Sequence, residues 1–217
     1  MSVLQNPLIG RAKQKLGGSV FSTWKGINVL KGKPLSVANP KTDKQLMRRS
    51  ALIQIVAIGR KIKAAVDSGF NEQAVRKSAF NAFTGYNLRS SFDYGAPPTA
   101  TLEVGQLLIA QGTISPTLIS SVIADVSDGN IIFEWAAGNL QPGQSNSDVL
   151  AVAIHNTATD VWYSTVTGSI RSGIDAVISI VDLPFVAGNT LDCYAFFYNS
   201  TSRKSSDSVY NQTVAIA

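Results

Sequence analysis

The sequence predicts an α+β protein, with a basic N-terminal β-hairpin arm and two helices followed by an immunoglobulin-like antiparallel β-sandwich. Three observations carry this reading. The chain opens with a glycine-punctuated, β-rich stretch. Helical periodicity with start and stop signals fills the next segment, and from Ser91 short alternating runs are separated by turn residues. With 217 residues, 45% hydrophobic and 15% charged, the chain can bury a real core as one domain with an appendage or as two small domains. We divide it into residues 1–95, the hairpin arm and helical segment, and residues 96–217, the sandwich.

The hairpin is read from "GGSVFSTWKGINVLKGKP", residues 17–34, in which Val20–Trp24 and Ile27–Lys31 flank Lys25-Gly26. Asn39-Pro40 then disfavours helix, and Thr42 with Gln45 three residues on forms a capping-box pattern that starts a helix over about 43–68. Its middle, "SALIQIVAIG", spreads Leu52, Ile53, Ile55, Val56 and Ile58 around most of the circumference, so burial on several sides is expected. A second helix over about 71–87 is expected from Asn71 as cap and a stripe of Val75, Ala79, Ala82, Phe83 and Tyr86. Strands are expected near 101–110, 119–126, 130–136, 148–155, 161–169, 175–182, 190–199 and 206–215, between turns such as Asp128-Gly129 and Gly188-Asn189. About eight short strands at this spacing fit an immunoglobulin-like sandwich, although no Cys…Trp…Cys pattern marks an antibody domain.

Charge is divided along the chain. Residues 1–90 hold 16 Lys and Arg against 3 acids, a net +13, and residues 91–217 hold 3 against 11, a net −8. Such an asymmetry points to a polyanionic partner or to head-to-tail contact between copies. Cys193 is the single cysteine, which excludes an internal disulfide framework and a multi-cysteine zinc site. No leader-like segment and no apolar run of membrane-spanning length is apparent, so a soluble chain without a signal peptide and without a membrane partner is expected.

The order of "GGSVFSTWKGINVLKGKP", "NPKTDKQLMRRSAL", "SAFNAFTGYNLRSSFDY", "LLIAQGTIS" and "LDCYAFFYNSTSRKSSDSVYNQTV" resembles a family of uncharacterised proteins from Bacteroidota genomes. It shares a basic hairpin with "WKG", an "NP.T" helix start and a terminal β domain. The resemblance implies the architecture and lends no activity.

Residue by residue, no reaction centre emerges. "GINVLKGKP" is superficially P-loop-like, but the required first glycine falls at Ile27, and Pro34 stands where Ser or Thr would reach Mg²⁺. His155 and Cys193 have no local signature of a nucleophile pair. Asp125, Asp128, Glu134, Asp148 and Asp160 have no spacing that demands acid–base work or Ca²⁺ binding. Two glycosylation-type acceptors, Asn199 and Asn211, come without an export signal. No catalytic residue, metal site or cofactor is therefore expected.

The basic region stands out. Lys25, Lys31, Lys33, Arg48, Arg49, Lys61 and Lys63 are dense and accompanied by Phe21 and Trp24, and these nine are the candidate partner-binding residues. Cations with an aromatic for stacking suit salt-sensitive nucleic-acid binding, and an apolar helix beside them suits a packed intersubunit element. The leading expectation is a non-enzymatic structural protein, a homo-oligomer or a subunit of a larger particle such as a bacteriophage virion. The alternative is a cytoplasmic nucleic-acid-binding protein that uses residues 1–90.

Overall fold

The computed structural model describes residues 2–4, 14–36, 39–136, 138–179 and 184–216. Two compact units divide the chain, Met1–Thr42 and Asp43–Ala217. The first is a four-stranded antiparallel sheet of β1 (Ser2–Leu4), β2 (Gln14–Leu16), β3 (Ser19–Trp24) and β4 (Ile27–Gly32), in the order β1-β4-β3-β2. Lys25 and Gly26 turn the central hairpin with φ of 46° and 79°, the pair of positive values that matches the right-handed twist of the flanking strands. The hairpin expected from the sequence is thus present, but not as a bare ribbon. Each of its strands is paired on both sides, and the open edges belong to β1 and β2.

The second unit begins with α1 (Asp43–Lys61), α2 (Lys63–Gly69) and α3 (Ala79–Ser90). A short strand pair, β5 (Phe92–Asp93) and β6 (Thr101–Leu102), and a 3₁₀ turn at Val104–Gln106 lead into the sandwich. Its strands are β7 (Ile119–Asp125), β8 (Asn130–Trp135), β9 (Val149–Asn156), β10 (Val161–Ile170), β11 (Asp175–Ser179), β12 (Thr190–Asn199), β13 (Lys204–Ser205) and β14 (Val209–Val214). One sheet runs β11-β8-β7. The other runs β10-β9-β12, with β13 and β14 pairing along successive parts of β12. Hairpins β7–β8 and β9–β10 lie in opposite sheets, and β11 then returns to the first, the sheet-switching connectivity of an immunoglobulin-like sandwich. The molecule is α+β.

The central strands explain how helices and sandwich join. Along "LDCYAFFY" in β12, Leu191, Cys193, Ala195 and Phe197 enter the core between the sheets. The alternate Tyr194 and Phe196 enter a second core with Ala151, Ala153 and Trp162 and with Ile55, Ile62, Val66, Phe70 and Phe83 of the helical segment. A strand covered on both faces reads as a nearly continuous apolar run. The boundary expected at residue 95 therefore falls within one compact unit, because the helices bury the outer face of the larger sheet.

Other elements depart from expectation for identifiable reasons. Gln45 Oε1 is buried without a hydrogen-bond partner, so the reciprocal half of the capping box is not made. α1 buries one stripe, Met47, Ala51, Ile55 and Ile58, and leaves Leu52 and Ile53 exposed rather than being covered on several sides. The second helix starts at Ala79, where the Ser78 side chain accepts from Asn81 N–H, and not at Asn71. Glu72, which would lie in the first turn of a helix capped by Asn71, instead accepts from Thr113 N–H (3.0 Å), Thr113 Oγ1 (2.8 Å) and Ser205 N–H (3.1 Å). The strand expected over 101–110 is limited to Thr101–Leu102 before the 3₁₀ turn, that over 206–215 is present as β14, and β13 precedes it as a short strand that was not expected. Of the strand expected over 175–182, residues 180–182 lie outside the described residues.

Candidate interaction site on the N-terminal sheet

The register of β3 and β4 sets Val20 opposite Lys31, Phe21 opposite Leu30, Ser22 opposite Val29, Thr23 opposite Asn28 and Trp24 opposite Ile27. Since side chains alternate across a strand, Val20, Ser22, Trp24, Ile27, Val29 and Lys31 share one face, and Phe21, Thr23, Asn28 and Leu30 share the other. The candidate residues Trp24 and Lys31 are thus brought to one face, Phe21 to the opposite one, Lys25 to the turn, and Lys33 just past β4, where its N–H donates to Gly18 O at 2.7 Å. Every residue from 17 to 36 is at least partly exposed, and Trp24 is 54% exposed. Residues 17–36 place apolar side chains on both faces of the β3–β4 hairpin, and none of these is buried. Residues 1–42 also carry seven Lys and Arg and no Asp or Glu.

The other four candidates lie in the second unit. Arg48 Nη1 donates to Leu88 O at 2.9 Å and its guanidinium lies 4.0 Å over the Tyr94 ring, which ties α1 to the end of α3. Lys61 Nζ donates to Asp160 O at 3.0 Å and pairs with its carboxylate, and Lys63 pairs with Asp67 one helical turn on. Arg49 lies on α1 and is exposed. Arg48, Lys61 and Lys63, read as partner-binding, thus make contacts within the unit.

The sequence profile of a family of unknown function, DUF6266, matches residues 11–212. The chain belongs to that family. No curated protein matches it. Among solved structures, the FN1–FN3 domains of chicken CNTN1 are similar over 49% of this chain and 36% of theirs, at 14% identity and a TM-score of 0.35. The twitchin kinase region of C. elegans is similar over 48% of this chain and 16% of its own, at 13% identity and a TM-score of 0.30. This chain therefore corresponds to well under half the length of either.

In this DUF6266 member a second polar cluster forms that sequence reading missed. Strand register lines up Trp162 of β10, His155 of β9, Asp192 of β12 and Gln212 of β14 in one row. The Trp162 and His155 rings stack at 4.4 Å. His155 Nδ1 lies 3.2 Å from Asp192 Oδ2 and Nε2 lies 3.1 Å from Asp160 Oδ1, while Tyr210 Oη and Gln212 Nε2 donate to Asp192 Oδ1. Burial by itself would raise the Asp192 carboxyl, but hydrogen bonds from His155, Gln212 and Tyr210 outweigh it and hold the group below the usual carboxylate range. With both ring nitrogens facing carboxylates, His155 acts as a clamp between strands and has no nitrogen left to activate a nucleophile. Cys193, the other half of the pair weighed from the sequence, pairs with Ile154 and so faces the opposite side of the sheet, where burial pushes its thiol far above the ordinary range. The only earlier signal was the run "LDCYAFFY", in which a charged residue interrupts a strand buried on both faces.

Proposed function

We propose that this protein is a non-enzymatic assembly component whose N-terminal basic sheet docks on an acidic protein surface, in a homo-oligomer or on another subunit of a larger particle, with a bacteriophage virion as the setting. The observation that carries the reading is the N-terminal sheet itself. It has apolar residues on both faces, none of residues 17–36 buried, Trp24 exposed, and seven cations without an acid over residues 1–42. A partner supplies the missing burial, an exposed tryptophan is a typical interface anchor, and cations steer the encounter and reject like-charged surfaces. Leu52 and Ile53, exposed on α1, offer a further apolar contact.

The same cations with Trp24 favour a second reading, sequence-tolerant binding of nucleic acid. A salt titration of self-association with nuclease-treated protein separates the two. Assemblies that dissociate as salt screens contacts beyond a Debye length of about 8 Å, and that form without nucleic acid, support the first reading. A monomer at every salt concentration that binds DNA or RNA tightly overturns it in favour of the second.

A further inference from the structure

The β11-β8-β7 sheet turns Val122, Ile131, Phe133 and Ile178 into the core between the sheets, so the alternate residues form its outer face. Register sets these in rows across the three strands. Ile123 and Val177 flank Ile132, and in the next row Ser121 and Asp175 flank Glu134. The first row is apolar, with Ile123 37% and Val177 56% exposed. The exposed acids Glu134 and Asp175 border it on one side and Asp125 borders it on the other. The three strands carry these three acids and no Lys or Arg. Glu134 and Asp175 stand directly opposite each other, and like charges in that position destabilise a sheet. Glu134 accepts from the Ser121 hydroxyl, but no ion pair among the described residues involves either acid. A cation from outside relieves the repulsion, and apolar side chains beside that cation cover the neighbouring row.

The N-terminal sheet has that chemistry. Residues 1–42 hold seven Lys and Arg and no acid, and the face that carries Val20, Trp24, Ile27 and Val29 ends at Lys31. In β4 Lys31 lies two residues from Val29, as Glu134 in β8 lies two residues from Ile132. The same step of about 7 Å along a strand therefore sets charge against charge and apolar row against apolar row. Two N-terminal sheets could not meet in this way, because each would bring cations to the other. The tether favours a second copy over the same chain. Residues 33–42, which join β4 to α1, span at most about 36 Å when fully extended, whereas the helices cover the outer face of the larger sheet and the acidic face lies on the far side of the sandwich. A neighbouring molecule has no such limit on its approach.

We propose that the outer face of β11-β8-β7 is the surface onto which the N-terminal sheet of a second copy docks, with Lys31 set against Glu134 and Asp175 and the Trp24 face set against Ile123, Ile132 and Val177. This rests on the reading of the N-terminal sheet as the docking element and names its partner. Such a head-to-tail contact builds rings or open filaments. The test is sedimentation velocity on the nuclease-treated full chain and on two charge-reversed chains, Glu134→Lys with Asp175→Lys and Lys31→Glu with Lys33→Glu. Each reversed chain should self-associate at least about tenfold more weakly than the wild type. An equimolar mixture of the two should recover association, because each supplies the charge that the other has lost. Glu134→Gln with Asp175→Asn, which removes the repulsion within the sheet, should melt no lower than the wild type and still associate more weakly. If only one reversal weakens association, the pairing is wrong, and where that one is the N-terminal reversal the docking role of the N-terminal sheet survives on another surface. If neither does, that role fails as well. A wild-type chain that is monomeric at every concentration, or a mixture that recovers nothing, overturns the proposal.

Discussion

The Asp192 carboxylate accepts from His155 on one neighbouring strand and from Tyr210 and Gln212 on the other, so it joins β9 and β14 across β12 at a point 2% exposed to solvent. Replacement by Asn keeps one neutral acceptor oxygen and turns the other into an amide donor, so at least one partner loses its acceptor and the rest lose a charged one. Hydrogen bonds to a buried charged acceptor contribute about 1.5–3 kcal/mol each, so losing about 3 kcal/mol of them in Asp192→Asn should lower the melting temperature at neutral pH by roughly 6–12 °C for a unit of this size. The pH dependence has a fixed sign. A carboxyl held below its ordinary value contributes stability that is complete above the unfolded value of about 4 and is lost as pH falls through the lower folded value. The gap between wild type and Asp192→Asn should therefore be widest near neutrality and narrow in acid, as followed by circular dichroism melts across pH. A gap that is constant with pH would mean that packing, and not the carboxylate's hydrogen bonds, sets the loss.

Among the elements, β7 to β12 of the sandwich were legible because short alternating or continuously apolar runs bounded by turn residues are local properties, and the hairpin was legible because Lys25-Gly26 supplies the turn its twist requires. Contacts distant in sequence account for the rest. Asn71 resembled a helix cap, but tertiary structure draws the adjacent Glu72 to Thr113 and Ser205, 41 and 133 residues away, and leaves Ser78 to start α3. Similarly, the candidate cations Arg48 and Lys61 looked available because Leu88 and Asp160, which engage them, are remote in the chain. The His155 row was invisible for the same reason, since it depends on the register of four strands. Glu72 also carries a prediction. Glu72→Ala removes three hydrogen bonds that hold the α2–α3 connection against the loop before β7 and against β13. It should destabilise the second unit by about 2 kcal/mol, a fall of roughly 4–8 °C. Glu72→Gln, which keeps one acceptor oxygen, should recover part of the loss. A melt unchanged in Glu72→Ala would show that water replaces the side chain at no cost.

The two-unit division sets where the chain can be cut. A sandwich taken from residue 96 onward would retain the core between its sheets, but it would expose Trp162, Tyr194 and Phe196 together with Ala151 and Ala153, which the helices now cover. A contiguous apolar face of that kind drives association or aggregation, so residues 96–217 alone should aggregate or melt without cooperativity. A cut at residue 43 removes only the N-terminal sheet and leaves both clusters of the second unit complete. Residues 43–217 should therefore melt in one cooperative transition close to that of the full chain. They should also stay monomeric under conditions in which the full chain assembles, because the seven cations, the acid-free composition and Trp24 have gone with residues 1–42. Calorimetry with size-exclusion chromatography and light scattering on the three proteins checks both halves at once. Cooperative melting of residues 96–217 would place the fold's independence in the sandwich alone, and assembly of residues 43–217 equal to that of the full chain would remove the N-terminal sheet from the interface and leave exposed Leu52 and Ile53 of α1 as the surface to test next.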